Sequence, residues 1–320
     1  MFLSSLLLIA NNAFGADEKS LVDAMANARK HCSGISEQLN DIKKLAGVGT
    51  AVSAVGTAVG GGATAVGVVK TGTDEELDDI RKEIERIKAA TPRPNPLPAD
   101  TNPGQLQQEL EQYARQQLSV SEDNVDGTTT NLADLEKQQK ELEEKSKKLG
   151  DARTGLMATA TATNIAGAVI SGINQVKTDL ITQIGACAGA IQTLSNMKTQ
   201  ASLDGSATDE EIAHADKVIS ACNKYNLEDV KKINARATGA TVSSGIGAAT
   251  GLAGTITSGI ANTDQTRENA EKAKNLNTAS NVLAGVTTAA SLTSTVFNAT
   301  QISAAKRVIE TAEQCEEALK

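Results

Sequence analysis

The sequence predicts an all-α fold: a duplicated long helical hairpin that forms an up-down-up-down four-helix bundle with a coiled-coil extension inserted in the first hairpin. All five prolines lie between residues 92 and 103. Because an interior proline costs a helix about 3 kcal/mol, the rest of the chain is free to form long helices. The sequence also lacks the sustained alternation of apolar and polar residues that indicates strands.

Four long stretches without a charged residue organise the chain. They cover residues 45–69, 154–176, 237–263 and 275–305, and each is bounded by charged residues. They consist mainly of Ala, Gly, Thr, Ser and Val. Because these side chains are small, helices built from them must pack with their backbones close together.

Glycines mark the expected helix contacts. Gly56 and Gly60 are four residues apart, as are Gly247 and Gly251, and this spacing of small residues lets helices approach closely. Gly61 follows Gly60 in a run of three glycines, where each glycine weakens the helix by about 1 kcal/mol relative to alanine. We therefore predict that all five glycines contact another helix.

The cysteines indicate an internal duplication. Cys32 and Cys222 are 190 positions apart, as are Asp74 and Asp264, which lie near the ends of two uncharged stretches. The cysteines of the second repeat are separated by a shorter span than those of the first, so additional residues are inserted at the tip of the first hairpin. The predicted division is a signal peptide at 1–15, hairpin repeat 1 at 16–73 and 152–203, a charged extension at 74–151 with a Pro-rich linker at 92–103, and hairpin repeat 2 at 204–320.

The extension carries two apolar patterns amid dense charge, each with heptad-like spacing. This spacing is typical of coiled coils, so we predict two coiled-coil legs that extend the first hairpin. The positions are Leu77, Ile80, Ile84 and Ile87 in one leg and Leu132, Leu135, Leu142 and Leu149 in the other.

Four cysteines, Cys32, Cys187, Cys222 and Cys315, are expected to form two disulfides at one level of the bundle. Each lies on an apolar stripe of its helix, and the clearest stripe consists of Leu180, Ile184, Cys187, Ile191 and Leu194. Two pairings are open: Cys32–Cys187 with Cys222–Cys315, or Cys187–Cys222 with Cys32–Cys315. We slightly favour the first, because a duplicated unit should have been self-contained. A disulfide contributes about 2–4 kcal/mol, which would offset the weak burial available from small side chains.

The N-terminal residues are typical of a secretory signal, with an apolar run at 2–10 followed by small residues, although no Lys or Arg precedes the run. An even number of cysteines is also typical of exported chains. We therefore expect an exported protein, periplasmic or extracellular.

Several function classes find no support in the sequence. The net charge of −8 and the absence of a basic patch argue against nucleic acid as a partner. His31 and His214 are the only histidines, and no CxxC motif occurs, so no catalytic, cofactor-binding or metal-ligating residue is predicted. The chain is not expected to be an enzyme.

The favoured interpretation is a non-enzymatic exported scaffold or interaction protein of a bacterial-type cell envelope or secretome. Its partner would be another protein or a second copy, bound at the extension, residues 74–151. The alternative is a membrane-active protein, pore-forming or translocator-like, that inserts its uncharged hairpins, since the uncharged stretches are long enough to cross a bilayer. The sequence disfavours this because Leu, Ile and Phe, which gain most from insertion, are few.

Overall fold

The computed structural model describes residues 20–90, 132–224, 227–267 and 269–320, and all regular elements within these ranges are α-helices. The predicted signal peptide and Pro-rich linker lie outside the described residues. The helices are α1 (Leu21–Cys32), α2 (Ile35–Ala90), α3 (Leu132–Ile173), α4 (Thr178–Asp204), α5 (Asp209–Cys222), α6 (Leu227–Ala261), α7 (Asp264–Arg267) and α8 (Ala270–Ala318).

Local sequence explains where the shorter helices begin and end. The Ser20 side chain accepts a hydrogen bond from the backbone of Asp23 at the start of α1. At the start of α5, Thr208 and Glu211 form a reciprocal capping box, which satisfies backbone donors that a helix leaves free. Gly205 ends α4 with a φ of 71°, a left-handed conformation that glycine adopts without steric cost.

The chain divides into two compact units. Unit 1 comprises Met1–Gly61, Met157–Leu252 and Leu283–Lys320, and unit 2 comprises Gly62–Leu156 and Ala253–Val282. Each unit therefore takes residues from both of the predicted hairpin repeats. The duplication and the proposed hairpin boundaries stay predictions.

One part of unit 1 has an ordinary apolar core. The stripe that the sequence predicts on α4 is buried throughout, and it packs with residues of α1, α5 and the adjoining parts of α2, α6 and α8. Charged residues of these segments lie on the outside; Lys44, Lys231 and Lys232 are examples. The buried α4 stripe consists of Leu180, Ile184, Cys187, Ile191 and Leu194.

Twelve buried positions of α8 recur at alternating intervals of three and four residues. This heptad spacing is that of a coiled-coil seam, and each of these positions is at most 6% exposed. These positions of α8 are mostly polar in the first part of the helix and apolar in the second. They are Asn277, Ser280, Ala284, Thr287, Ser291, Ser294, Asn298, Gln301, Ala305, Val308, Ala312 and Cys315.

Buried positions of α2 and α6 match one another with an offset one residue larger than the cysteines do. Ser53 and Ser244 are both buried and lie 191 positions apart, and the buried pairs of predicted contact glycines have the same offset. Cys32 and Cys222, by contrast, lie 190 positions apart. The one-residue difference arises between the cysteine and the long helix, because each long helix must turn its own heptad face inward.

In unit 2, the two legs of the predicted coiled coil lie side by side. Arg81 of α2 forms an ion pair with Glu143 of α3 at 2.8 Å, and Lys88 pairs with Glu136 at 2.9 Å. Among the predicted heptad positions, Leu77, Ile84 and Leu135 are buried, whereas Ile80, Ile87, Leu132, Leu142 and Leu149 are half-buried.

Candidate functional site

The interior of unit 1 changes character along its helices. Next to the apolar core lies a set of buried side chains with hydroxyl or amide groups, none of them more than 1% exposed. We call this set the polar seam. It consists of Ser53, Asn164, Ser171, Asn174, Ser244, Ser291, Ser294, Asn298 and Gln301.

Ser294 of α8 connects two other helices within the polar seam. Its hydroxyl lies 3.1 Å from the hydroxyl of Ser53 on α2 and 2.7 Å from that of Ser244 on α6. It also lies 3.3 Å from the carbonyl oxygen of Ala240. Because these hydroxyls bond to one another, burying them does not leave them without partners.

Three further pairs join the α3 segment to α8. Ser291 donates to the Asn164 Oδ1 atom at 2.9 Å, Ser171 donates to the Asn298 Oδ1 atom at 3.3 Å, and the side-chain amides of Asn174 and Gln301 hydrogen-bond to each other. The residues of each pair are 127 positions apart. An offset that stays constant along two paired segments means that the segments run in the same direction.

Threonines beside the polar seam hydrogen-bond within their own helices. Thr50 donates to the carbonyl of Ala46 at 2.9 Å, and Thr241 donates to the carbonyl of Ala237 at 2.9 Å. Thr287 makes the same bond to the carbonyl of residue 283. A hydroxyl bonded four residues back along its own helix does not need water.

Four of the five predicted contact glycines face a side chain of another helix. A Cβ atom added to Gly56 would lie 3.0 Å from the Thr163 hydroxyl, and one added to Gly60 would lie 2.8 Å from that of Thr288. The corresponding distances are 2.8 Å from Gly247 to the Asn164 Cγ atom and 2.5 Å from Gly251 to the Thr161 hydroxyl. Gly61 differs, since its added Cβ would meet no atom within 4 Å.

Replacing Gly247 with alanine is expected to lower the free energy of unfolding by about 1–3 kcal/mol, because the new methyl group must displace Asn164 from its bond with Ser291. Gly245, on the same helix, faces no atom within 4 Å. Gly245→Ala should therefore raise the free energy of unfolding by up to about 1 kcal/mol through helix propensity. Urea denaturation of both variants measures the difference, and shifts in the same direction would contradict the close packing.

The outer surface of these segments is apolar. Of 18 large apolar side chains that are exposed among the described residues, 16 lie within the four uncharged stretches, while the remaining two, Val22 and Leu203, lie outside them. Of the 16 side chains within the uncharged stretches, 11 belong to unit 1 and are each 41–63% exposed. We call these 11 the apolar outer face. They are Val48, Val55, Ile165, Val169, Ile173, Val242, Ile246, Leu252, Val286, Leu292 and Val296.

Unit 2 shows the same reversal of polarity. Val68, Ile256 and Val282 are 45% exposed or more, whereas Ser258 and Ser280 are at most 3% exposed. By length and composition, three helical segments of the described residues could cross a membrane, and α6 is not among them. They are Leu21–Ala89, Leu132–Asp204 and Glu271–Ala318.

Unit 2 also contains a buried ionic cluster. The Asp74 carboxylate accepts hydrogen bonds from Lys70 at 2.6 Å, Ser146 at 2.5 Å and Asn277 at 2.8 Å. Arg153 is fully buried, and its guanidinium nitrogens have no hydrogen-bond partner among the described residues. Burial lowers the pKa of Arg153 to about 10, and the nearby Asp74 charge opposes this shift. The cluster therefore holds two cations and one anion.

The cysteines form two bridges in the apolar core of unit 1. Cys32 pairs with Cys187 and Cys222 with Cys315, with Cα–Cα distances of 4.8 and 4.6 Å. Of the two pairings that the sequence leaves open, the structure has the one that joins cysteines of the same predicted repeat. The Sγ atoms of Cys32, Cys187 and Cys315 lie within 4.8 Å of one another, so the two bridges are neighbours.

The two histidines lie on different helices, His31 on α1 and His214 on α5. The Nε2 atom of His214 lies 3.1 Å from the carbonyl oxygen of Ala318, and His31 is half-buried near the end of α1. Neither position suggests a reaction, and the absence of enzymatic activity stays a prediction.

Comparison with protein families, curated proteins and solved structures finds no match for this chain. The polar seam and the apolar outer face are therefore the features of this protein that bear on its function. The polar seam is not among the features predicted from the sequence, because apolar side chains at heptad positions are the usual sign of a buried helix face. The signal was present with inverted polarity, as serine, asparagine and glycine at intervals of three and four residues.

Proposed function

We propose that the protein is a membrane-inserted helical protein whose uncharged stretches lie in the hydrocarbon layer. The observation that carries this proposal is the reversed polarity in the part of unit 1 that contains the polar seam. Buried side chains of the polar seam bear hydroxyl and amide groups, whereas the apolar outer face presents half-exposed Val, Ile and Leu side chains. In water this arrangement forgoes the burial of apolar surface that drives folding. In lipid the outward side chains are solvated, and the buried polar groups of the seam hydrogen-bond within the protein, apart from the Asn164 Nδ2 atom.

The dimensions of the uncharged stretches fit a bilayer. The hydrocarbon layer is about 30 Å thick, which a helix crosses in about 20 residues. The shortest uncharged stretch, 154–176, has 23 residues, and the longest, 275–305, has 31. Small residues at the helix contacts are typical of membrane helices, which gain no hydrophobic driving force from association and depend on close packing and hydrogen bonds.

The finer architecture is also a proposal. The bonds between α3 and α8, together with those from Ser294 to α2 and α6, support a bundle of four helices. The ion pairs between α2 and α3 support a coiled-coil extension. The two disulfides are typical of an oxidising compartment and support a location at the cell envelope with the cysteines on the exported side.

A second function, as an interaction protein, is favoured by the extension. Its two legs expose mixed charges on both sides; Lys82, Arg86, Glu144 and Lys148 all form ion pairs within their own helix. Such a solvated surface suits contact with another protein. This function is compatible with membrane insertion, since the extension lies outside the uncharged stretches.

Flotation with lipid vesicles tests the membrane proposal. We expect the full chain to float with vesicles of phosphatidylcholine and phosphatidylglycerol, to resist extraction by alkaline carbonate, and to need detergent for solubility. A protein that stays monodisperse without detergent and remains at the bottom of the gradient would contradict the proposal and favour the exported scaffold. Leakage of an entrapped dye would separate a pore-forming protein from one that leaves the bilayer sealed.

A further inference from the structure

The four cysteines come from four helices and meet in one place. Cys32 and Cys222 are the last residues of the short helices α1 and α5, while Cys187 and Cys315 lie on α4 and α8. All four are at most 2% exposed and belong to the same apolar core. The chain contains no other cysteine, so any exchange reaction within the chain must take place among these four sulfurs.

A thiolate exchanges with a disulfide by attacking one of its two sulfur atoms. The Cys315 sulfur lies within 4.8 Å of both sulfurs of the Cys32–Cys187 bridge. We propose that the four cysteines form one thiol–disulfide exchange centre, in which opening the Cys222–Cys315 bridge allows the remaining bridge to move to Cys315. Exchange would thus make the bundle sensitive to the redox state of its compartment.

The exchange proceeds in two balanced steps. An external dithiol reductant first reduces the Cys222–Cys315 bridge to two thiols and is itself oxidised to a cyclic disulfide. The Cys315 thiol then loses its proton, and its sulfur attacks Cys32 or Cys187. A new bridge to Cys315 forms, the Cys32–Cys187 bond breaks, and the displaced sulfur takes up a proton. The second step involves no net oxidation or reduction.

Exchange changes which helices are tied together. The two native bridges link α1 to α4 and α5 to α8. A bridge from Cys32 to Cys315 would link α1 to α8 and release α4 and α5, whereas a bridge from Cys187 would link α4 to α8. In either case a link within a predicted repeat is replaced by a link between the two repeats.

The proximity of the sulfurs predicts an asymmetry between the two members of the second bridge. Cys315 belongs to the close triplet of sulfur atoms, whereas Cys222 does not. A free thiol at Cys315 should therefore exchange faster than one at Cys222. Cys222→Ala and Cys315→Ala are matched variants, because each breaks the same bridge and leaves one free thiol in the same core.

Both variants are purified oxidised, incubated at alkaline pH, quenched with acid, denatured, alkylated and analysed by peptide mapping. In Cys222→Ala we expect the alkyl label on Cys32 or Cys187 as well as on Cys315, appearing at least about tenfold faster than migration in Cys315→Ala. Label confined to Cys315, or equal rates in the two variants, would overturn the proposal. Equal rates would mean that exchange occurs in unfolded chains.

The wild-type protein provides a second measurement that does not depend on the folding of a variant. One molar equivalent of dithiothreitol is added, and molecules with a single remaining bridge are mapped. We expect bridges from Cys315 to Cys32 or Cys187 among them. If only the two native bridges are found, the sulfurs do not exchange within the core and the proposal is wrong.

Discussion

Replacing Val169 and Ile246 together with lysine is expected to reduce the vesicle-bound fraction of the protein at least about tenfold. Both side chains belong to the apolar outer face and are 56% and 50% exposed. A lysine at the centre of a membrane helix costs about 2.5–3.5 kcal/mol, whereas a substitution on a water-exposed surface changes stability by less than about 0.5 kcal/mol. The same double variant therefore has a large effect in lipid and almost none in water.

Val22→Lys serves as the matched control, because Val22 is 60% exposed but lies on α1, outside the uncharged stretches. This variant should float with vesicles as the wild type does. Circular dichroism of all variants establishes that they remain helical. Unchanged flotation of the double variant would contradict membrane insertion. A wild-type protein that is soluble without detergent and does not bind lipid would contradict it as well.

Asp74→Asn is expected to lower the free energy of unfolding by about 3 kcal/mol, because it removes the negative charge beside the buried Lys70 and Arg153 side chains. Lys70, which Asp74 pairs with, has a side chain only 3% exposed, and Arg153 has no other described counter-charge. Glu75→Gln is the matched control. Glu75 lies next in sequence and pairs with Lys274 at 3.5 Å, but its side chain is 60% exposed, so the loss should stay below about 0.5 kcal/mol.

Arg153→Met should act in the opposite direction and raise the free energy of unfolding, by about 1–4 kcal/mol. The folded state lowers the pKa of Arg153 to about 10, so it binds this proton less tightly than the unfolded chain. The resulting destabilisation is fully present below pH 10 and declines only as the pH rises above that value. Urea denaturation at neutral pH measures the gain for Arg153→Met and for the double variant with Asp74→Asn. A loss of stability in Arg153→Met would mean that the guanidinium has a partner.

Particular residues show how far sequence reasoning reached. Its prediction of helices throughout is confirmed for the described residues, and the α4 stripe from Leu180 to Leu194 is buried as expected. Gly61 shows one limit, because a run of glycines does not reveal which of them faces a neighbouring helix. The buried faces of α2 and α6 show another limit, because their offset along the chain is one residue larger than that of the cysteines. The rotation of each helix follows its packing rather than its position in the chain.

Three properties follow from the sequence by itself. The long segments without proline can form helices, the small residues of the uncharged stretches allow close helix contacts, and the cysteines are spaced so that two bridges can form. These properties depend on the local conformational preference of each residue and on the spacing of residues along the chain. Only the tertiary structure decided which face of each helix turns inward, and it placed Ser294 and Asn298 inside and Val169 and Ile246 outside. The reason is that small residues let the backbones come close and that the hydroxyl and amide groups inside hydrogen-bond across the helix contacts, which valine and isoleucine side chains cannot do.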